Sequence, residues 1–326
     1  MYKLAAAIGS ALLTTAGSVI AAATPDAYPT KPIRVIAAFP PGGGVDIVAR
    51  AMSERLSTRL GQSLVVDNRP GAGTTIGTEL AVKSPPDGYT LLIGPIGAAL
   101  IAQIYYRKGY DMRRDLAPIS KIGYGTIVMV VAPSLGVTSV KELIALAKAK
   151  PGQLTFASSG TGSNIHLTGE MFKQRAGIDI VHVPYKGSAL MLPDLIEGRV
   201  SMAIDSMPAH LPHIKTGRLR ALAVANPQRS PLLPDLPTMA EAGVPGVVSQ
   251  TDYAMYAPSG TPRDVIALLN REVHTIFSNP AVIAELERRG VGPALTGTPD
   301  EVRDFVKKEI VRWGDVVRRA GLEGSQ

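Results

Sequence analysis

The sequence has no cysteine among its 326 residues. That absence excludes a disulfide scaffold, Cys-ligated zinc, iron–sulfur clusters and a thiol nucleophile. Aromatic residues are scarce, at 5% with a single tryptophan, and no basic stretch is interleaved with Phe or Tyr. Stacking on single-stranded nucleic acid needs that interleaving, so no nucleic-acid partner is expected. After the first residues no run of ~18 apolar residues occurs, and no helical membrane span is expected in the body of the chain. What is present is ordinary globular composition, with 45% hydrophobic residues, 19% charged residues and a formal charge of +7. The basic excess is scattered in pairs such as Arg113-Arg114, Arg288-Arg289, Lys307-Lys308 and Arg318-Arg319, on faces that read as solvated. The length suits about two domains of roughly 100–200 residues each.

Residues 1–23 do not read as part of the fold. One cation, Lys3, precedes the uncharged stretch LAAAIGSALLTTAGSVI, and the segment ends in Ala21-Ala22-Ala23. This is the layout of a secretory signal peptide cleaved after Ala23. The stretch is rich in small residues and no Lys/Arg-flanked stop follows, which counts against a transmembrane anchor. Without a cysteine, a lipid tether is also excluded. An exported, cysteine-free, soluble chain fits the periplasm of a Gram-negative bacterium. Poor access to ATP and NAD(P)H there counts against kinases and dehydrogenases.

From Lys31 onward, short β-rich runs alternate with helical patterns. Ile33–Phe39, Ser63–Val66 and Tyr89–Ile93 read as strands, and Val45–Leu60 and Thr75–Lys83 as helices. A second series follows the apolar runs Ala117–Ile122 and Thr126–Ala132. Its helices are expected over Val140–Ala149, Asn164–Ala176 and Ala189–Glu197, its strands over Leu154–Ala157, Ile180–Val183, Val200–Ile204 and Leu219–Val224. This alternation argues for an α/β fold of two domains, with parallel-rich sheets and helices on both faces. Asn226–Val248 is rich in Pro and Gly and reads as an irregular connection with one short helix near Met239. Beyond it Tyr253–Ala257 is strand-like, and Pro262–Ser278 and Pro299–Ala320 are helical. In the last helix Val302, Phe305, Val306, Ile310, Trp313 and Val317 form an apolar stripe, which places Trp313 in the core. Too few elements follow Thr251 for a third domain. They are expected to return to the first, giving two chain crossings near residues 124–130 and 249–258 and a ligand cleft between the lobes.

Two glycine-rich strand-to-helix turns carry the chemistry. The first is Pro40-Pro41-Gly42-Gly43-Gly44-Val45-Asp46, where the glycines allow φ > 0 and close approach of a ligand to the main chain. The first N–H groups of the following helix, with its dipole, suit an anion, and Asp46 near the N-cap can hold the loop's N–H groups. The second, Ser158-Ser159-Gly160-Thr161-Gly162-Ser163-Asn164, repeats the architecture in the other lobe and adds hydroxyl donors. Several hydrogen bonds to a charged group, at about 1.5–3 kcal/mol each, can exceed the ~4 kcal/mol or more lost on association and give micromolar affinity.

Other motifs carry less. Gly71-Ala72-Gly73-Thr74-Thr75-Ile76-Gly77 has dinucleotide-like spacing, but no acidic residue closes a following strand, and a helix-packing turn on the cleft rim is the better reading. His210 and His213 have metal-like spacing with Pro212 between them and no third ligand nearby, so capping or surface roles are expected and no metal or cofactor. His182 and His274 are read as structural. Gly160–Asn164 is not a GxSxG elbow, and no base–nucleophile pair is signalled, which favours binding over catalysis.

In order along the chain, YPTKPIRVIAAFPPGGGVDIVAR, VVDNRPGAGTTIG, SPPDGYTLLIG, FASSGTGSNIHLTGEMFK, VHVPYKGS, DLIEGRVSMAID, LPHIKTGRLRALAV, RSPLLPDLPTMAEAGVPG and YAMYAPSGTP resemble the periplasmic solute-binding proteins of tripartite tricarboxylate transporters, the Bug family. The resemblance covers essentially the whole chain after residue 23. It implies a type II-like, two-lobed Venus flytrap, a monomer, not an enzyme, that captures a small organic carboxylate and presents it to two membrane permease subunits. It implies lobes made of residues 24–127 plus 252–326 and of residues 128–251. It also implies ligand contacts from Gly42, Gly43, Gly44, Val45 and Asp46, and from Ser158, Ser159, Thr161, Gly162 and Ser163. Asp205 matches an acidic position of the family's cleft, where it would accept a hydrogen bond from an amino or hydroxyl group; the plainer reading is a cap on Met207–Lys215. Val45 stands where many relatives have Thr, Tyr253 where Trp is common, and Gly97-Ala98-Ala99 and Ala102-Gln103 replace a more polar stretch. These departures are expected to alter the distal half of the pocket. A secreted α/β hydrolase and a sensory subunit docking on a receptor are the alternatives.

Overall fold

The computed structural model describes residues 28–105, 110–292, 297–319 and 321–322. The expected signal peptide, residues 1–23, lies outside the described residues. In chain order the first elements are β1 (Ile33–Ala37), α1 (Gly44–Leu60), β2 (Leu64–Asn68), α2 (Thr75–Val82), β3 (Thr90–Pro95), α3 (Ile96–Tyr105), α4 (Met112–Asp115) and β4 (Leu116–Gly125). Next come β5 (Ile127–Val131), α5 (Val140–Ala149), β6 (Thr155–Ser158), α6 (Asn164–Ala176), β7 (Val181–Pro184), α7 (Ser188–Ile196), β8 (Met202–Ser206), α8 (Met207–Lys215) and β9 (Arg220–Val224). The chain closes with β10 (Thr251–Pro258), α9 (Arg263–Phe277), α10 (Pro280–Arg288), β11 (Val291–Gly292) and α11 (Pro299–Arg319).

The strands form two sheets, ordered β11-β4-β10-β3-β1-β2 and β7-β6-β8-β5-β9. Parallel pairing holds where a helix connects successive strands, in β2-β1-β3 and β7-β6-β8. The strands at the lobe crossings, β4, β10 and β5, pair antiparallel, so both sheets are mixed. A strand that passes between lobes needs no crossover helix, and antiparallel neighbours follow.

Side-chain alternation buries both faces of each sheet. Ile33, Val35 and Ala37 of β1, with Tyr253, Met255 and Ala257 of β10, enter one core, while Ile36, Ala254 and Tyr256 enter a second on the opposite face. In β5, Ile127, Met129 and Val131 face one core and Val128 and Val130 the other. Continuous apolar strands are what a sheet covered on both sides requires.

The two crossings lie side by side. The Ile127 N–H donates to Asn226 Oδ1 at 2.8 Å, Ala225 N–H donates to Ile127 O at 2.8 Å, and Ser249 N–H donates to Ala225 O at 2.8 Å. Trp313 is fully buried with Ile101 of α3, Val317 of α11 and Leu167 of α6, so one small apolar cluster joins elements packed on different sheets.

Three local readings change. The helix expected near Met239 is a hydrogen-bonded turn, in which Thr238 Oγ1 accepts from Glu241 N–H and the Glu241 carboxylate accepts from Thr238 N–H. The reciprocal cap forms, but Gly243 at φ +90° and Pro245 follow too soon for a helix to propagate. Helix α3 was not expected, because its residues IGAALIAQIY are apolar on all sides and show no amphipathic period. A Cβ on its Gly97 would come within 2.8 Å of Trp313 Nε1, so glycine there permits the close packing of α3 on α11. Helix α10 was also not expected; Asn279 caps it and Pro280 opens it.

Candidate functional site

Strand β1 delivers the chain to Gly42, which adopts φ +81°, and α1 begins two residues later. Asp46 in the first turn of α1 is 5% exposed and shapes this loop. Its Oδ2 accepts from Gly42 N–H and Arg50 Nε, each at 3.0 Å, and its Oδ1 accepts from Asn68 Nδ2 at 3.0 Å. The same Asn68 amide donates to Phe39 O at 3.0 Å, so β2 fastens both ends of the turn. Burial pushes the Asp46 carboxyl up, but the hydrogen bonds from Arg50, Gly42 and Asn68 outweigh it and hold the group below the usual carboxylate value. Both oxygens are thus occupied within the protein. The first N–H groups of α1 have no partner within the helix and remain for an anion.

The second loop is built the same way from β6 into α6. Ser163 is the N-cap, its Oγ accepting from His166 N–H at 3.1 Å and donating to Gly160 O at 2.7 Å. His166 Nδ1 accepts from Gly162 N–H at 3.2 Å, and Ser158 Oγ lies 2.7 Å from His182 Nε2. The two imidazoles stack with centroids 4.0 Å apart. Burial, then the neighbouring His182 and Lys173, pushes His166 down to about 3; burial and Lys173 push His182 down to about 4. Both rings are neutral at physiological pH, as the Gly162 contact requires. Although Ser158 and His182 touch, neither lines the cleft between the two loops. The pair shapes the loop.

A pH dependence follows. In the unfolded chain both histidines take up protons as the pH falls through 6.5, while the folded protein resists until about 3–4. Their contribution to stability is complete above pH 6.5 and is lost progressively as the pH drops toward those values. At pH 5 the loss is about 2 kcal/mol for His166 and roughly half that for the more exposed His182. Melting temperature measured from pH 7 to 5 should fall less steeply in H166Q/H182Q than in the parent protein. Equal slopes would remove the pair as the cause.

The two loops face each other across a cleft with two adjoining chambers whose linings share Phe39 and Ser159. The inner chamber, about 30 Å³, is bounded by Gly43, Gly44 and Val45 from the first loop and by Ser159, Asn164 and Asp205 from the second sheet's side. Asn164 Nδ2 donates to Thr251 Oγ1 at 3.2 Å, a bond from α6 to the returning strand β10. The Tyr253 hydroxyl and Ser206 Oγ both crowd the space a Cβ on Gly44 would take. The outer chamber, about 540 Å³, lies between the Pro70–Thr74 segment and Ser159, Thr161, Ser163 and Lys186. The Gly71 turn therefore borders the cleft. A groove of about 670 Å³ beside β9 is larger, but its lining is drawn from the second sheet's side alone and includes neither loop.

Asp205 and His210 are both fully buried, with Asp205 Oδ2 2.9 Å from His210 Nε2. The expected surface or capping role of His210 is overturned: this histidine takes one carboxylate oxygen, and Asp205 does not cap α8, whose N-cap is Ser206. Asp205 Oδ1 is buried without a partner among the described residues. Burying a carboxylate oxygen unpaired is costly, and a donor entering the chamber would relieve it.

Of the eleven residues singled out in the sequence, Gly43, Gly44, Val45, Ser159 and Asp205 line the inner chamber and Ser159, Thr161 and Ser163 the outer one. Gly42, Asp46, Ser158 and Gly162 line neither chamber: Asp46, Ser158 and Gly162 are buried behind the loops that they fix, and Gly42 is exposed at the turn. Tyr253 belongs to the inner chamber, and Gly97, Ala98 and Ala99 lie in α3 and line neither chamber. Phe39, Asn164, Ser206 and Thr251 were not singled out. Asn164 follows directly on the serine loop and Phe39 precedes the glycine loop, so adjacency was the available signal; Thr251 and Ser206 gave none.

Residues 48–322 match the family model described as "Tripartite tricarboxylate transporter family receptor". The chain is 42% identical over 325 residues to Protein BugT of Bordetella pertussis, covering 99% of each. Among solved structures it resembles Rpa4515 of R. palustris, determined with adipate, with a TM-score of 0.85 and 40% identity over 90% of this chain and 98% of that one. It also resembles MatC of Rhodopseudomonas palustris, determined with bound malate, with a TM-score of 0.81 and 27% identity over 89% of this chain and all of that one. Whole-length identity, the mixed two-sheet architecture and the paired loops agree, and the chain belongs to the receptor family of the tripartite tricarboxylate transporters, the Bug family.

Proposed function

We propose that the protein captures a small organic carboxylate between its glycine and serine loops in the periplasm and delivers it to the membrane subunits of a tripartite transporter. The observation that carries this reading is the convergence of two helix starts, α1 and α6, one from each sheet's side, on a single cleft. Main-chain N–H groups from Gly43 to Val45, together with Ser159 and Thr161, would hold the carboxylate. Asp46, Ser158, Gly162 and Ser163 would act by fixing those donors. Asp205 would accept a hydrogen bond from a hydroxyl, an amino group or a bound water. The adipate and malate seen in the two relatives support an organic acid as solute.

The reading includes a leader at residues 1–23, a monomeric mature protein, and two bodies, 24–127 plus 252–326 and 128–251, that close on the solute. Strand β5 begins the second sheet at Ile127 and strand β10 rejoins the first at Thr251, which supports that division to within one residue at each boundary. Among the described residues no helix is long and apolar enough to cross a membrane. The buried position of Ser158 favours binding over hydrolysis, because neither Ser158 nor His182 lines the cleft.

Thermal unfolding of ligand-stripped protein tests this. Mono-, di- and tricarboxylates are compared with a neutral sugar and a cationic amino acid. A cognate carboxylate at a hundred times Kd should add about 2.7 kcal/mol of stability. If a neutral or cationic solute raises the melting temperature while every carboxylate leaves it unchanged, the anion reading is wrong.

A further inference from the structure

We infer that Lys186 is a specificity-determining residue of the cleft, placed to receive a second anionic group on a solute whose first carboxylate lies on the glycine and serine loops. This rests on the carboxylate reading and adds which residue reads the remainder of the solute.

The outer chamber, at about 540 Å³, is far larger than one carboxylate needs and is of the size that takes a whole small molecule. Its walls are mostly apolar, with Phe39, Pro40, Pro70 and Pro184 among them. Within its described lining Lys186 is the one cation, and no Asp or Glu is present to neutralise it.

Other cations of the two loops and their neighbourhood are already engaged. Arg34 and Arg69 pair with Asp67, Arg50 with Asp46, and Lys173 with Glu170. Tyr185, beside Lys186, donates its hydroxyl to Asp194 Oδ2 at 2.6 Å and so offers the chamber no free donor hydrogen. Lys186 is exposed, and the described residues show no ion pair for it.

A second observation comes from the opposite lobe. Thr74, at the start of α2, lines the same chamber, is 1% exposed, and its Oγ1 has no partner among the described residues. A buried hydroxyl without a partner is unfavourable, and an anionic oxygen entering the chamber would satisfy it. Lys186 is also held where the lobes meet, since a Cβ on the next residue, Gly187, would lie 3.0 Å from Pro40 Cγ. A solute bridging the loops and Lys186 would therefore tie one lobe to the other, and its far charge would determine how well the cleft retains it.

Calorimetric titration tests the assignment with α,ω-dicarboxylates of four to eight carbons and monocarboxylates of the same lengths, against the parent protein, K186Q and K186R. Because Lys186 is exposed, K186Q should keep the parent melting temperature. The best-bound diacid should lose about tenfold in affinity in K186Q and regain most of it in K186R, while the monoacid of equal length changes less than about twofold. Equal losses for mono- and diacids, or no loss for any diacid that the parent protein binds, would overturn the role of Lys186 and leave the carboxylate reading intact. Failure of the parent protein to bind either series, with another class of solute binding, would overturn the carboxylate reading and this inference with it.

Discussion

Replacing His210 with leucine is expected to remove about 3–5 kcal/mol of folding stability. Asp205 and His210 are both inaccessible to solvent, and the imidazole supplies the one hydrogen bond that the Asp205 carboxylate receives within the described protein. Leucine fills most of the space but leaves a carboxylate in a low-dielectric site with neither oxygen paired. The cost comes from that unpaired charge more than from the lost contact, so it should be reversible without restoring the histidine. In D205N/H210L the charge is gone, and most of the lost stability should return. Urea unfolding of the two variants measures both steps. A loss below about 1 kcal/mol in H210L, or no recovery in the double variant, would show that the pair is not electrostatically isolated. The pair also sets the electrostatics of the inner chamber. A bound carboxylate and Asp205 repel each other unless a donor stands between them, and D205N should therefore weaken solutes that carry a hydroxyl or amino group beside the carboxylate more than plain acids.

Gly44→Ala should lower carboxylate affinity by about a hundredfold, the equivalent of losing one or two hydrogen bonds to a charged group. Helix propensity alone argues the other way, because alanine is favoured over glycine by about 1 kcal/mol within a helix. The tertiary structure reverses the sign. A Cβ at Gly44 would fall within the contact distance of the Tyr253 hydroxyl and 3.3 Å from Ser206 Oγ, and one methyl group would fill much of the inner chamber of about 30 Å³. Tyr253 cannot move aside easily, since it is 1% exposed and packs so closely on Gly125 that a Cβ there would lie 2.5 Å from its hydroxyl. Overpacking of this kind costs about 1–3 kcal/mol. G44A/Y253F removes the clashing oxygen and should recover stability, but the methyl group still occupies the chamber and affinity should stay low. Recovery of both in the double variant would mean that the clash, and not the filled chamber, governs binding.

These two residues show where the sequence stops being informative. Both strand-to-helix loops of the cleft were visible in it, because a strand run, a cluster of Gly or Ser and a helix start are local patterns. So was the burial of Trp313, which follows from helical spacing alone. The two-sided covering of the sheets was legible in the continuous Ile and Val runs. Helix α3 was not, because a helix buried on all sides has no polar face to reveal its period.

The division of labour within the loops was decided only in three dimensions. Asp46, Ser158 and Gly162 have the residue types of ligand contacts, yet their hydrogen bonds go to Asn68, His182 and His166. Asn68 and His182 lie on neighbouring strands 22 and 24 residues away, and nothing in the loop sequence announces them. The inner chamber is closed by Thr251 and Tyr253 of β10, which returns to the first sheet after the whole second sheet has been built. The sequence by itself determined that two strands would each run through a Gly- or Ser-rich turn into a helix start, because capping and turn chemistry act over a few residues. Only the tertiary structure decided which of these residues line the cleft, how large its chambers are and which lysine borders the outer one, because those properties depend on side chains brought together from distant parts of the chain.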